Sequence, residues 1–112
     1  MLSQEKLSVR ESAPPQSNGV YIFYDESGEV SYVGQASGAK GLKDRIKSKH
    51  VSGDDRHALQ RAFVDRFPDR SERREYIKDN LTVSWIEIED INIIGHTEHF
   101  LIWLFQPKWN RQ

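Results

Sequence analysis

Glu98 lies in the run INIIGHTEHFLIWLF, flanked by Ile93 and Ile94 on one side and Phe100, Leu101 and Ile102 on the other. A carboxylate on so apolar a segment is costly unless it is paired or binds a metal. Mg²⁺ keeps several of its waters and takes only one or two protein carboxylates, so one glutamate suffices for a hard cation. His96 and His99 stand beside it but form no HExxH pattern. The chain has no cysteine, which removes thiolate zinc sites, disulfides and a Cys nucleophile. Tyr21 and Tyr32 occupy the triplets Gly19-Val20-Tyr21 and Tyr32-Val33-Gly34. A hairpin would set this pair on adjacent strands, with both hydroxyls expected in one cleft. Arg45 adds a guanidinium that stays charged and presents paired donors to an oxyanion.

The elements that must position these groups follow from pattern. Residues 19–24 (GVYIFY) and 30–34 (VSYVG) read as two strands joined by the turn cluster Asp25-Glu26-Ser27-Gly28-Glu29. A Gly- and Ser-rich loop leads to a helix over residues 42–49, with Leu42, Ile46 and Lys49 on one face and Arg45 beside it. Asp54 or Asp55 caps a second helix that runs to about Phe67, where Pro68 ends it. Ser71 caps a third through Lys78. Residues 81–89 (LTVSWIEIE) alternate strictly and give a third strand. Leu81, Val83, Trp85 and Glu87 take one face; Thr82, Ser84, Ile86 and Ile88 take the other. A long apolar helix over residues 92–105 packs on the sheet, and Pro107 ends it. The order implies an α+β fold, a small three-stranded antiparallel sheet flanked by helices. Residues 1–18, with Pro14-Pro15, read as an irregular arm before one domain over residues 19–112.

The net charge of −1 hides a division. Residues 40–78 hold 12 basic and 7 acidic side chains, a local net of +5; the rest hold 4 and 10, a net of −6. A basic middle attracts phosphates locally, although mixed-charge amphipathic helices give the same counts. Lys40, Lys43, Lys47, Arg56, Arg61 and Arg66 are the expected track for a nucleic-acid backbone. No apolar run is long enough to span a bilayer, and the polar first residues show no leader, so a cytoplasmic protein without membrane contact is expected.

The paired triplets, Arg45 in the helix after the hairpin, Glu98 in the helix after the third strand, and the ending Pro107-Lys108-Trp109-Asn110 together resemble the GIY-YIG nuclease superfamily. Valine stands for isoleucine in both triplets. In layout the chain is similar to the nuclease domain of the bacterial excision-repair incision enzyme and to the catalytic domain of phage homing endonucleases. The resemblance spans residues 19–110. It implies a divalent-metal-dependent endonuclease that hydrolyses a DNA phosphodiester. Glu98 would hold Mg²⁺ or Mn²⁺, Tyr32 would accept the proton of the attacking water, and Tyr21 would hydrogen-bond the phosphate or that water. Arg45 would neutralise the transition state, and Asn110 would order the loops near Tyr21. Two departures stand out. Gln35 follows the second triplet, where the family often has Lys or Arg. Lys49 stands where the family shows His or Tyr, with His50 adjacent and His57 further on as other auxiliary candidates. Sequence specificity would then come from the arm, an oligomer or a protein partner. The alternative is a non-catalytic nucleic-acid-binding or interaction module on the same fold.

Overall fold

A computed structural model describes residues 6–51 and 57–110, the side chains of residues 49–51 excepted. β1 (Leu7–Ser8), β2 (Gly19–Tyr24), β3 (Val30–Ala36) and β4 (Thr82–Glu87) form one antiparallel sheet in the order β1-β4-β2-β3. The sheet therefore has four strands where the sequence suggested three. The added strand comes from the arm: Leu7 pairs with Val83 and Ser8 with Thr82. The residue that follows, Val9, is fully buried. Two strand residues are too few to leave a period in the sequence.

β2 is central, and every one of its residues is buried. Alternation splits the core in two. Tyr21 and Phe23 face a layer that includes Leu42, Ile46, Leu59, Phe63 and Ile77, with Val83 and Trp85 from β4. Val20, Ile22 and Tyr24 face Val33, Ile94 and Leu101. The faces assigned to residues 81–88 hold: Trp85 lies with Val83, while Ser84, on the opposite side, meets the Tyr24 hydroxyl at 2.9 Å. That buried bond contributes about 1 kcal/mol.

The helical layer differs from its expected form. α1 covers only Gly41–Lys43 and continues as a π-helical segment, Asp44–Val51. Such wider turns are rare and recur at functional sites. α2 (Ala58–Phe63) starts after His57 rather than at an aspartate cap; Asp54 and Asp55 lie outside the described residues. α2 also stops short of Phe67, whose N–H still reaches the Phe63 carbonyl at 2.9 Å. α3 (Arg70–Asn80) is capped by Asp69, not Ser71, through the Glu72 N–H. α4 (Ile91–Phe105) is capped by Asp90, which accepts from the Asn92 and Ile93 N–H groups and starts the helix one residue early. Gln106 ends it in the left-handed region at φ 49°. Pro107 and a 3₁₀ turn, Lys108–Asn110, then bring the chain back to β3.

Candidate active site

The glycines of the two triplets are fixed by close approach. A Cβ on Gly19 would strike the Ile86 carbonyl of β4, and one on Gly34 would strike the Tyr21 phenol. Gly34 lies directly opposite Tyr21 across the β2–β3 pair, so the ring lies over it. Tyr32 is opposite Phe23 in the same register, which puts it diagonally beside Tyr21. The two rings are 6.2 Å apart at their centroids. The expected shared location of the two phenols is thus met, but their exposure differs. Tyr21 is fully buried, whereas Tyr32 is only partly covered.

Arg45 approaches from the π-helical segment. Its guanidinium bonds the Tyr21 hydroxyl, which also interacts with Tyr32. Burial opposes the Arg45 charge, but the two phenols and Asp44 outweigh that effect and raise its pKa. The Arg45 Nε is buried and meets no acceptor among the described residues. A buried donor left open calls for an explanation, and an anionic ligand supplies one.

Glu98 points from α4 towards the hairpin. Its Oε1 accepts a hydrogen bond of 2.9 Å from the Gln35 side chain on β3. The carboxylate is half-buried, and burial raises its pKa against the opposing pull of His99, Gln35 and Arg45. Its charge in turn acts on both phenols. Burial also raises both tyrosines. Arg45 works against this at each, and Arg61 does so at Tyr32. Tyr21, Tyr32, Arg45 and Glu98 therefore form one coupled cluster, although they come from β2, β3, the π-helical segment and α4.

Among the described residues no three His, Asp or Glu side chains gather as a metal cage. Zinc normally takes three or four protein ligands. A lone half-buried carboxylate, with an amide holding one oxygen and the other left for a cation, fits a hydrated hard ion instead.

Asn110 meets the edge of β3. Its Oδ1 accepts from the Val33 N–H at 2.8 Å and its Nδ2 donates to the Val33 carbonyl at 2.8 Å. It thus fastens the strand between Tyr32 and Gly34. Other expected residues lie elsewhere. Lys47 donates to the Val9 carbonyl at 2.6 Å, under the arm, so its ammonium is not a free phosphate contact. Arg66 lies over the Phe67 and Tyr76 rings, 3.9 Å from Glu26. Lys40 and Lys43 line a surface hollow of about 380 Å³ with Gln16 and Ser48. His57 precedes α2, where its carbonyl accepts from the Arg61 N–H. Arg56 and the side chains of Lys49 and His50 lie outside the described residues. Sequence reading missed the role of Gln35, treating it as a departure. It also missed Arg73, buried among the Phe67 and Pro68 carbonyls and Gln60. An arginine buried this way braces the helices and adds nothing to a basic surface.

No protein-family model matches the chain. Two curated relatives are both UvrABC system protein C. That of Gloeobacter violaceus is 43% identical over 104 residues, covering 93% of this chain and 15% of the relative. That of Treponema denticola is 32% identical over 106 residues, covering 95% and 15%. The chain thus spans about 15% of the length of the curated relatives it matches. Among solved structures, the GIY-YIG N-terminal endonuclease domain of UvrC from Thermotoga maritima, bound to its catalytic divalent cation, magnesium, gives a TM-score of 0.52 at 23% identity, covering 93% of this chain and 92% of that one. A tyrosine-to-phenylalanine variant of the same domain, also cation-bound, gives 0.53 at 21%, with the same coverage. Identities this low establish a common fold.

Proposed function

We propose that the chain belongs to the GIY-YIG superfamily and, from that premise, that it is a divalent-metal-dependent endonuclease acting on DNA. The observation that carries this reading is the orientation of Glu98. It faces β3 and couples to Tyr21, Tyr32 and Arg45, when its helix offered several other directions.

Glu98 would hold Mg²⁺ or Mn²⁺, and Gln35 would fix the carboxylate rotamer. Such an ion acidifies a bound water and offsets charge on the phosphoryl oxygens. Tyr32 is the more accessible phenol and takes the role of proton acceptor. Its pKa is raised by burial, so it needs added positive charge nearby to act as a base at neutral pH. Arg45 and Arg61 supply part of that field. Tyr21 is buried and tied to Arg45, so it orients rather than ionises. Arg45, held charged beside the two phenols, would offset the charge that builds on the phosphoryl group. Asn110 holds β3 and thereby the Tyr32 backbone.

The test is nicking of supercoiled plasmid in Mg²⁺ or Mn²⁺. Glu98→Ala is expected to lower the rate by about a thousand-fold or more, with circular dichroism and DNA binding unchanged. Full activity in that variant rejects the assignment. The upward shift of Tyr32 favours one alternative, a DNA-binding module without catalysis. It predicts salt-sensitive binding and no scission with any divalent metal. DNA sequence choice on either reading would rest with a protein partner or a second subunit.

A further inference from the structure

α4 has two apolar faces where one is enough. Ile94 and Leu101 are buried against the sheet. Ile93, Phe100, Trp103 and Leu104 point outward and are 51%, 53%, 68% and 48% exposed. A helix apolar on both sides is ordinarily covered on both sides.

We propose that this outer face joins two copies of the chain, through antiparallel packing of α4 on its twofold mate. Ile93, Thr97, Phe100 and Leu104 follow a 4-3-4 spacing, the seam that suits helix-on-helix packing. The seam is self-complementary in the antiparallel sense. A twofold axis midway along it sets Ile93 against the mate's Leu104, and Phe100 against the mate's small Thr97. An isologous contact requires this pairing of unlike positions. The area is of the right order. Four side chains of about 200 Å² each, half exposed, present roughly 400 Å² of apolar surface. A standard interface buries about 800 Å² per partner, of which up to about 65% is apolar in homodimers. The seam itself carries no charged side chain, and the chain's net charge is only −1, so like-charge repulsion does not oppose a second copy. A foreign partner would have nothing charged on the seam to recognise. Glu98 lies on the side towards β3, so the contact leaves the candidate site clear.

The inference is independent of the nuclease reading and is tested without activity. Sedimentation equilibrium of the full 112-residue chain over micromolar concentrations is expected to show a species of twice the 13.1 kDa chain mass. Phe100→Glu should raise the dissociation constant by at least about thirty-fold. Its circular dichroism should not change, because the ring lies outside the core. Ile93→Glu and Leu104→Lys should each weaken the dimer, and mixing the two should restore it as a heterodimer. That rescue follows only if residue 93 faces residue 104 of the mate. A monomer at every concentration overturns the proposal, as does dimerisation unaffected by Phe100→Glu. Failure of the mixed pair to associate overturns the antiparallel arrangement.

Discussion

Gln35 follows directly after the second triplet, and a neutral amide there gives a phosphate little to hold. Instead its side chain donates to Glu98 across the gap between β3 and α4. Groups that orient a metal-binding carboxylate are typically worth about 10–100-fold in affinity. Gln35→Ala is therefore expected to raise the Mg²⁺ concentration for half-maximal nicking by about ten-fold, with a smaller effect at saturating metal. An unchanged metal dependence would show that the amide does not position the glutamate. The two tyrosines divide in a similar way. Their types and spacing are symmetrical in the sequence, yet one is sealed beneath Arg45 and the other keeps an accessible edge. Only the packing of the helical layer separates their roles.

The β2–β3 hairpin is held by Asp25. Its Oδ1 accepts from the Ser27 N–H at 2.9 Å, the Ser27 hydroxyl at 2.7 Å and the Glu29 N–H at 3.0 Å. Its Oδ2 meets the Lys108 ammonium at 2.7 Å. One side chain thus closes the turn and tethers the 3₁₀ segment that carries Asn110. Burial raises the Asp25 pKa, but the Lys108, Ser27 and Glu29 bonds together outweigh it and hold the carboxyl below its ordinary value of 3.8. A depressed acid stabilises the fold fully above that ordinary value and loses its contribution as pH falls through the lower folded one. Asp25→Ala is expected to cost about 2 kcal/mol in urea denaturation at pH 7. The gap to the wild type should narrow as pH falls below that ordinary value. A gap that stays constant in acid would mean the charge itself contributes nothing.

The compact body includes the arm. The radius of gyration, 13.1 Å, is that of a well-packed chain of this length, about 13 Å. Among the contacts that dock the arm are β1 on β4, Val9 in the core, and Arg10 on Asp79 and Glu75 of α3 at 2.6 and 2.5 Å. The ion pairs are exposed and add little. Val9 dominates, because it is fully buried. Val9→Ala should cost roughly 2 kcal/mol and lower Tm by about 10 °C. A Tm within a degree of the wild type would show that the arm does not contribute to the core. Charge, too, is rearranged by folding. The run of cations over residues 40–78 looks like one basic track, but Arg73 is internal, Lys47 serves the arm and Arg66 covers aromatic rings. Among the described residues, Arg45 and Arg61 are cations whose fields act on Tyr32.

The hairpin, the alternating strand and the long apolar helix were legible in local periodicity. The candidate residues Tyr21, Tyr32, Arg45, Glu98 and Asn110 stood out only through the resemblance of their motifs to a known family, and their burial and mutual contacts came with the fold. The π-helical form of the first helical segment, the arm's strand, the Asp69 cap and the Gln35–Glu98 bond came only with three-dimensional packing. Each depends on residues far apart in the chain or on a choice among neighbouring candidates that local pattern leaves equal. The outer face of α4 belongs to the same group. Its apolar residues are plain in the sequence, but which of them point away from the sheet is set only when Ile94 and Leu101 take the inner side, because a helix can bury one face on a sheet and must leave the other to solvent or to a partner.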